Sequence, residues 1–147
     1  MKKFAIILVI LMIITVFSAS AVGIGASFGL PIGGLPGTDV MLSAKLDSLP
    51  FLLGLGFGIE PAYFGATADW WVLNENLAGA LNIYLGPGLY IGGAANEFQL
   101  GGRLPIGLNM YPVDFLELFV EIAPTLTIAP VFPSFGAQAA FGLRFWF

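Results

Sequence analysis

Residues 135–147 read "FGAQAAFGLRFWF" and close the chain. Every odd position is apolar: Phe135, Ala137, Ala139, Phe141, Leu143, Phe145 and Phe147. The even positions carry Gly136, Gln138, Ala140, Gly142, Arg144 and Trp146. Successive side chains of a strand point to opposite faces, so this is the period of a β-strand with one apolar face. The apolar face is unbroken over the whole segment, and the last residue is a bare aromatic. What that face meets decides the fold.

The same alternation runs upstream. Its apolar parity predicts strands over 22–32, 40–46, 51–59, 64–72, 79–91, 98–110 and 116–128, so that 135–147 is the eighth. Turns are expected at "GGLPGT", "DSLP", around Pro61, "LNENL", "GGAANE", "YPVD" and "APVFPS". Eight alternating strands of about 9 to 11 residues suit a transmembrane barrel. In lipid every backbone N–H and C=O must find a partner within the protein, and a closed sheet leaves no open edge.

Composition argues the same way. The 147-residue chain is 58% hydrophobic and only 10% charged, whereas soluble domains carry about 25% charged residues. An aqueous barrel would turn its apolar rows inward and show water a surface of glycines and a few charges. The placement of the charges is sharper evidence. Lys45, Asp69, Arg103, Glu117, Glu121 and Arg144 fall inside the strands, all six on the non-apolar parity. A lipid-facing Arg or Lys near the midplane costs about 2 to 4 kcal/mol. The apolar row therefore faces lipid and the other row faces the interior. Outward aromatics gather toward two rims: Phe51, Trp70, Phe145 and Phe147 at one, Phe64, Phe98 and Phe135 at the other. Pro31, Pro87, Pro105 and Pro124 fall within strands, where the missing N–H predicts bulges or short breaks.

The chain begins "MKKFAIILVILMIITVFSASA". Lys2 and Lys3, the apolar run from Phe4 to Phe17 and the small residues Ala19-Ser20-Ala21 form a secretory signal, cleaved after Ala21. Two segments are expected: a helical signal peptide, 1–21, and a barrel, 22–147. Losing Lys2 and Lys3 takes the net charge from −4 to −6.

Several functions are set aside at this level. The chain has no Cys and no His, which removes disulfides, the usual transition-metal ligands and the commonest general base. No enzyme, no metal and no cofactor are expected. The net charge of −4 offers no basic surface for nucleic acid. "GIGASFG" and "GLGFG" are followed by strand pattern, where a phosphate loop needs a helix. Inward glycines that make room for large neighbours explain them better.

The ending "AAFGLRFWF" resembles the C-terminal signal of bacterial outer-membrane barrels, and with the signal peptide and eight strands the chain resembles small OmpA- or OmpX-like barrels. The stretches "ADWW", "LGPGLYIGG" and "RLPIGLNMYPVDFLELFVEIAP" look closest to small spirochaete barrels of unassigned function. The resemblance implies an outer-membrane location in a diderm bacterium, and assembly by the barrel machinery through Phe141, Leu143, Phe145 and Phe147. It also implies a monomer in the lipid bilayer, with a possible unidentified surface ligand. The turns are short at both ends, unlike the long protruding strands of OmpX-like proteins, which speaks against an adhesive role.

An eight-stranded barrel is just wide enough to be filled by its own side chains. Trp71, Tyr84, Tyr90, Phe119, Trp146 and the six charges can do so. The expectation is a structural or surface-interaction barrel with a filled interior, the alternative a narrow pore for ions or very small solutes. A turn centred near Pro112 would set Arg103 opposite Glu121, and the last loop would bring Arg144 to Glu117. Lys45, Arg103 and Arg144 would then balance Asp69, Glu117 and Glu121 in one linked ionic plug with bidentate Arg–carboxylate contacts.

Overall fold

A computed structural model describes residues 21–32, 39–60, 62–94, 97–130 and 132–147. The expected signal segment, apart from Ala21, lies outside the described residues. Every regular element among the described residues is a strand: β1 (Val22–Ile32), β2 (Val40–Leu46), β3 (Phe51–Gly58), β4 (Tyr63–Trp70), β5 (Leu73–Ala78), β6 (Leu81–Leu85), β7 (Gly88–Ala94), β8 (Glu97–Arg103), β9 (Ile106–Val113), β10 (Leu116–Ala129) and β11 (Ser134–Trp146). These eleven segments make eight barrel strands, because β4–β5, β6–β7 and β8–β9 are each one strand interrupted in the middle.

The sheet is antiparallel throughout and closed. β1 pairs with both β2 and β11, and β11 pairs back to β10. Closure reaches the last residue: Phe147 N–H donates to Val22 O at 3.0 Å, and Val22 N–H donates to Phe147 O at 3.1 Å. One row of side-by-side residues runs Gly23, Lys45, Leu52, Asp69, Gly88, Arg103, Thr125, Gly136. Next to Gly136, Ala137 pairs with Ile32, the end of β1 whose other end is Val22. The sheet thus closes with a stagger of ten residues along β1, which tilts the strands by about 40° to the barrel axis.

The two faces separate as the charges require. Ile24, Phe28, Leu53, Leu55, Phe64, Trp70, Leu89, Val120, Ile122, Phe141 and Phe147 are all exposed on the outside. Ser27, Ser43, Lys45, Asp69, Arg103, Asn109, Glu117, Glu121, Thr125, Thr127 and Arg144 are buried inside. This is the inverse of a water-soluble fold. Outward rings pair across strands, Phe51 with Trp70 at 5.7 Å and Phe57 with Phe64 at 5.3 Å between centroids. These contacts lie at opposite ends of the β3–β4 hairpin.

The interruptions form one line across neighbouring strands. Trp70 N–H donates to Pro87 O (2.8 Å), Gly86 N–H to Pro105 O (3.2 Å) and Leu104 N–H to Pro124 O (2.9 Å). Proline has no N–H to give but keeps its carbonyl, so each acts as acceptor for the strand before it. Pro87 and Pro105 sit at breaks, as their position predicted. Pro31 and Pro124 instead lie inside continuous strands, paired with Gln138 and Ala137.

A bulge at Trp71–Val72 overturns one expected turn. Asp69 pairs with Gly88 but Leu73 pairs with Leu85, so three residues on one strand face two on the other. Gly86 lies opposite, and a Cβ there would run into Trp70 O and come 2.9 Å from Trp71 Cα. "LNENL" is therefore strand β5, not a turn. The chain turns later, at Gly79, whose φ of 58° suits glycine. Asn76 Nδ2 closes this hairpin by donating to Gly79 O (2.8 Å) and Asn82 Oδ1 (3.0 Å).

Candidate functional site: the polar lumen

Inward polar side chains from β2, β4, β8, β10 and β11 converge in the lumen, and all six expected charges are buried there. Arg103 bridges two carboxylates. Its Nε lies 3.3 Å from Asp69 Oδ1, and its Nη2 donates to Glu121 Oε1. Tyr84 Oη donates to Glu121 Oε2 at 2.9 Å. Nearer the end that holds Val22 and Phe147, Glu117 accepts three bonds: from Arg144 Nη1 at 2.7 Å, Asn109 Nδ2 at 2.8 Å and Trp146 Nε1 at 2.9 Å.

Glycines in intervening strands make these contacts possible. Asp69, Gly88 and Arg103 are side by side on three adjacent strands. A Cβ on Gly88 would collide with Asp69 Oδ1. Tyr84, Gly107 and Glu121 repeat the arrangement, and a Cβ on Gly107 would enter the Tyr84 ring. Tyr90, Gly101 and Thr127 repeat it again, with the Tyr90 and Thr127 hydroxyls 2.5 Å apart. A residue without a Cβ leaves a gap one strand wide, and the two flanking side chains meet in it.

Aromatic rings join the two ionic groups. Trp71 stacks on Tyr84 with centroids 4.0 Å apart and planes 15° from parallel. The Arg144 guanidinium lies 5.0 Å from the Phe119 centroid and 5.7 Å from that of Trp71. The link between the groups is thus aromatic, not ionic. Lys45 joins no ion pair among the described residues. Its Nζ is 5.0 Å from the Trp71 centroid and 3.4 Å from both Leu46 O and Leu49 O.

Two details of the expected geometry are corrected. Arg103 stands opposite Thr125 and Glu121 opposite Gly107, because the turn lies at Asp114–Phe115 and Pro112 is within β9. Arg103 still reaches Glu121 diagonally, along the tilt of the strands. Arg103 also divides its donors between two carboxylates and does not grip one in bidentate fashion. Asn109, a partner of Glu117, was not singled out in the sequence. Its signal was there, as the one amide on the inward parity of "IGLNM".

Packing leaves little room. Two cavities lined chiefly by inward residues, one beside Ser27, Met41, Arg103 and Glu121 and one beside Tyr63, Thr67 and Tyr90, measure about 10 Å³ each. That is at the lower limit for a single water. Arg103 Nη1, Arg144 Nε and Asn109 Oδ1 are buried without a hydrogen-bond partner in the protein. The expected assembly residues Phe141, Leu143, Phe145 and Phe147 all point outward and are exposed.

This outside-in distribution on a closed sheet defines a transmembrane β-barrel of eight strands. In fold the chain is similar to Neisserial surface protein A (NspA), with a TM-score of 0.54 at 12% identity over 87% of this chain and 97% of that one. Ail, the attachment invasion locus protein of Yersinia pestis, aligns over the same shares at 10% identity with a TM-score of 0.42. No protein-family model matches the chain, and no curated protein matches it significantly.

Proposed function

We propose that this chain is a resident outer-membrane barrel with a sealed interior, serving a structural or surface-interaction role without catalysis. The observation that carries the reading is the packed lumen: Arg103 held between Asp69 and Glu121, Arg144 on Glu117, and a cavity of only about 10 Å³ beside Arg103 and Glu121. An eight-stranded barrel has an interior that side chains can fill. Delivery by a cleaved signal peptide, insertion by the barrel assembly machinery through the C-terminal row and a monomeric state belong to the same proposal. The purified protein in planar bilayers is expected to give no steady conductance. Stable single-channel steps would replace the reading with that of a narrow pore. The buried donors without protein partners, Arg103 Nη1 and Arg144 Nε, are what favour that second reading.

A further inference from the structure

β5 is the last strand in the sheet order and pairs on one side only, with β6. Its neighbour on the other side would be β3, but β3 starts at Phe51, opposite Trp70. Trp71 N–H donates to Pro50 O at 2.8 Å, and beyond that point no strand among the described residues lies beside the outer edge of β5. Asn74 to Ala78 are all exposed, so nothing among the described residues covers them. Half of the backbone N–H and C=O groups of such a strand point away from its partner. Natural edges are usually blunted by Lys or Pro, and "LNENLA" contains neither. Its irregular pairing with β6 comes only at the far end, between Asn76 and Ala78.

Among the described residues, the exposed charges at this end have one sign. Asp47, Glu75 and Asp114 are exposed there, in the β2–β3 turn, in β5 and in the β9–β10 turn. The cations of the barrel, Lys45, Arg103 and Arg144, are all buried in the lumen. We infer that the free edge of β5 docks an extended basic polypeptide segment, which adds to it as a further strand at the end of the barrel that holds Val22 and Phe147. Backbone pairing supplies the register and the carboxylates select Lys or Arg side chains. A second copy of this chain is a poor occupant, because it would set one acidic rim against another, and like charges facing across a strand pair are destabilising. The inference is independent of whether the lumen conducts.

The test uses the whole barrel in an uncharged detergent with a fluorescent probe peptide, acetyl-Lys-Thr-Lys-Thr-Lys-Thr-amide. Two control peptides carry Glu for Lys, or N-methyl groups on alternate amides. Binding of the basic peptide should exceed that of either control at least roughly tenfold. It should fall to a similar extent in the triple variant Asp47→Asn, Glu75→Gln, Asp114→Asn, and amide exchange at Asn74–Asn76 should slow only with the basic peptide. Equal binding of the N-methylated peptide, or no slowing at β5, would overturn strand addition. So would a dimer that already protects β5 without any peptide.

Discussion

Asp69 and Arg103 come from strands that are not adjacent, and the ion pair between them passes over Gly88 on the strand that separates them. The missing side chain is as much a part of the contact as the two charges. Gly88→Ala should part the pair and leave both charges buried without each other, costing about 2 to 4 kcal/mol. Gly102→Ala is the control, since a Cβ there meets only Gly88 O at 3.9 Å; it should stay within about 0.5 kcal/mol. Urea unfolding in detergent micelles, followed by heat-modifiable gel mobility, measures both. Equal losses at the two sites would show that the gap at Gly88 has no special role.

Glu121 takes bonds from both Arg103 and Tyr84. Glu121→Ala should destabilise the barrel by about 3 to 5 kcal/mol if the site is dry, because Arg103 loses a partner in the interior. The double variant Glu121→Ala, Arg103→Leu should recover part of that loss. A double-mutant cycle should return a coupling of about 1 to 3 kcal/mol. A coupling near zero means that water already carries the charges.

Phe147 closes the sheet through its backbone on Val22 while its ring stays outside. Phe147→Asp keeps the backbone bonds and alters only the ring. Insertion in cells should therefore suffer far more than refolding in detergent. A loss of the same size in both settings would confine Phe147 to a role in stability.

Leu55 is exposed on the outer face between Leu42 and Ala66. Leu55→Arg should cost about 2 to 4 kcal/mol in lipid bilayers, as a cation placed near the midplane. In detergent micelles that adapt around it the cost should be smaller. A neutral result in bilayers would mean that this row does not face lipid.

Much of this fold was legible because lipid imposes a strict rule. Period-two apolarity with every in-strand charge on one parity leaves a closed barrel as the solution that satisfies the backbone. The bulge at Trp71–Val72 was hidden, since Trp-Trp-Val-Leu is apolar on both parities and cannot show where they exchange. β5 read as a turn because Asn favours turns and Asn and Glu are both depleted in strands, and past the rim nothing demands an apolar row. The diagonal from Arg103 to Glu121 was placed in the wrong register, because Pro112 marked the turn two residues early. Lys45 looked like a third ion-pair member by charge count alone. Its carbonyl partners, Leu46 O and Leu49 O, belong to the adjoining turn, but which ring lies near its Nζ depends on the barrel's stagger, which no local pattern reports.

The extra residue at Trp71–Val72 also bears on how this chain can change in length. Below it, Asn74 sits opposite Tyr84 and Asn76 opposite Asn82, on the interior side, while Leu73 and Glu75 sit with Leu85 and Ile83 on the outside. Outward positions are even up to Val72 and odd from Leu73, so the extra residue is what lets the two halves of the strand differ in parity. Deleting Val72 would remove the irregularity and still leave Leu73 opposite Leu85, with Asn74 and Asn76 inward. A one-residue deletion at this point is therefore a smaller event than one inside a regular strand, while a paired deletion that also removes Gly86 would put the strands out of step again.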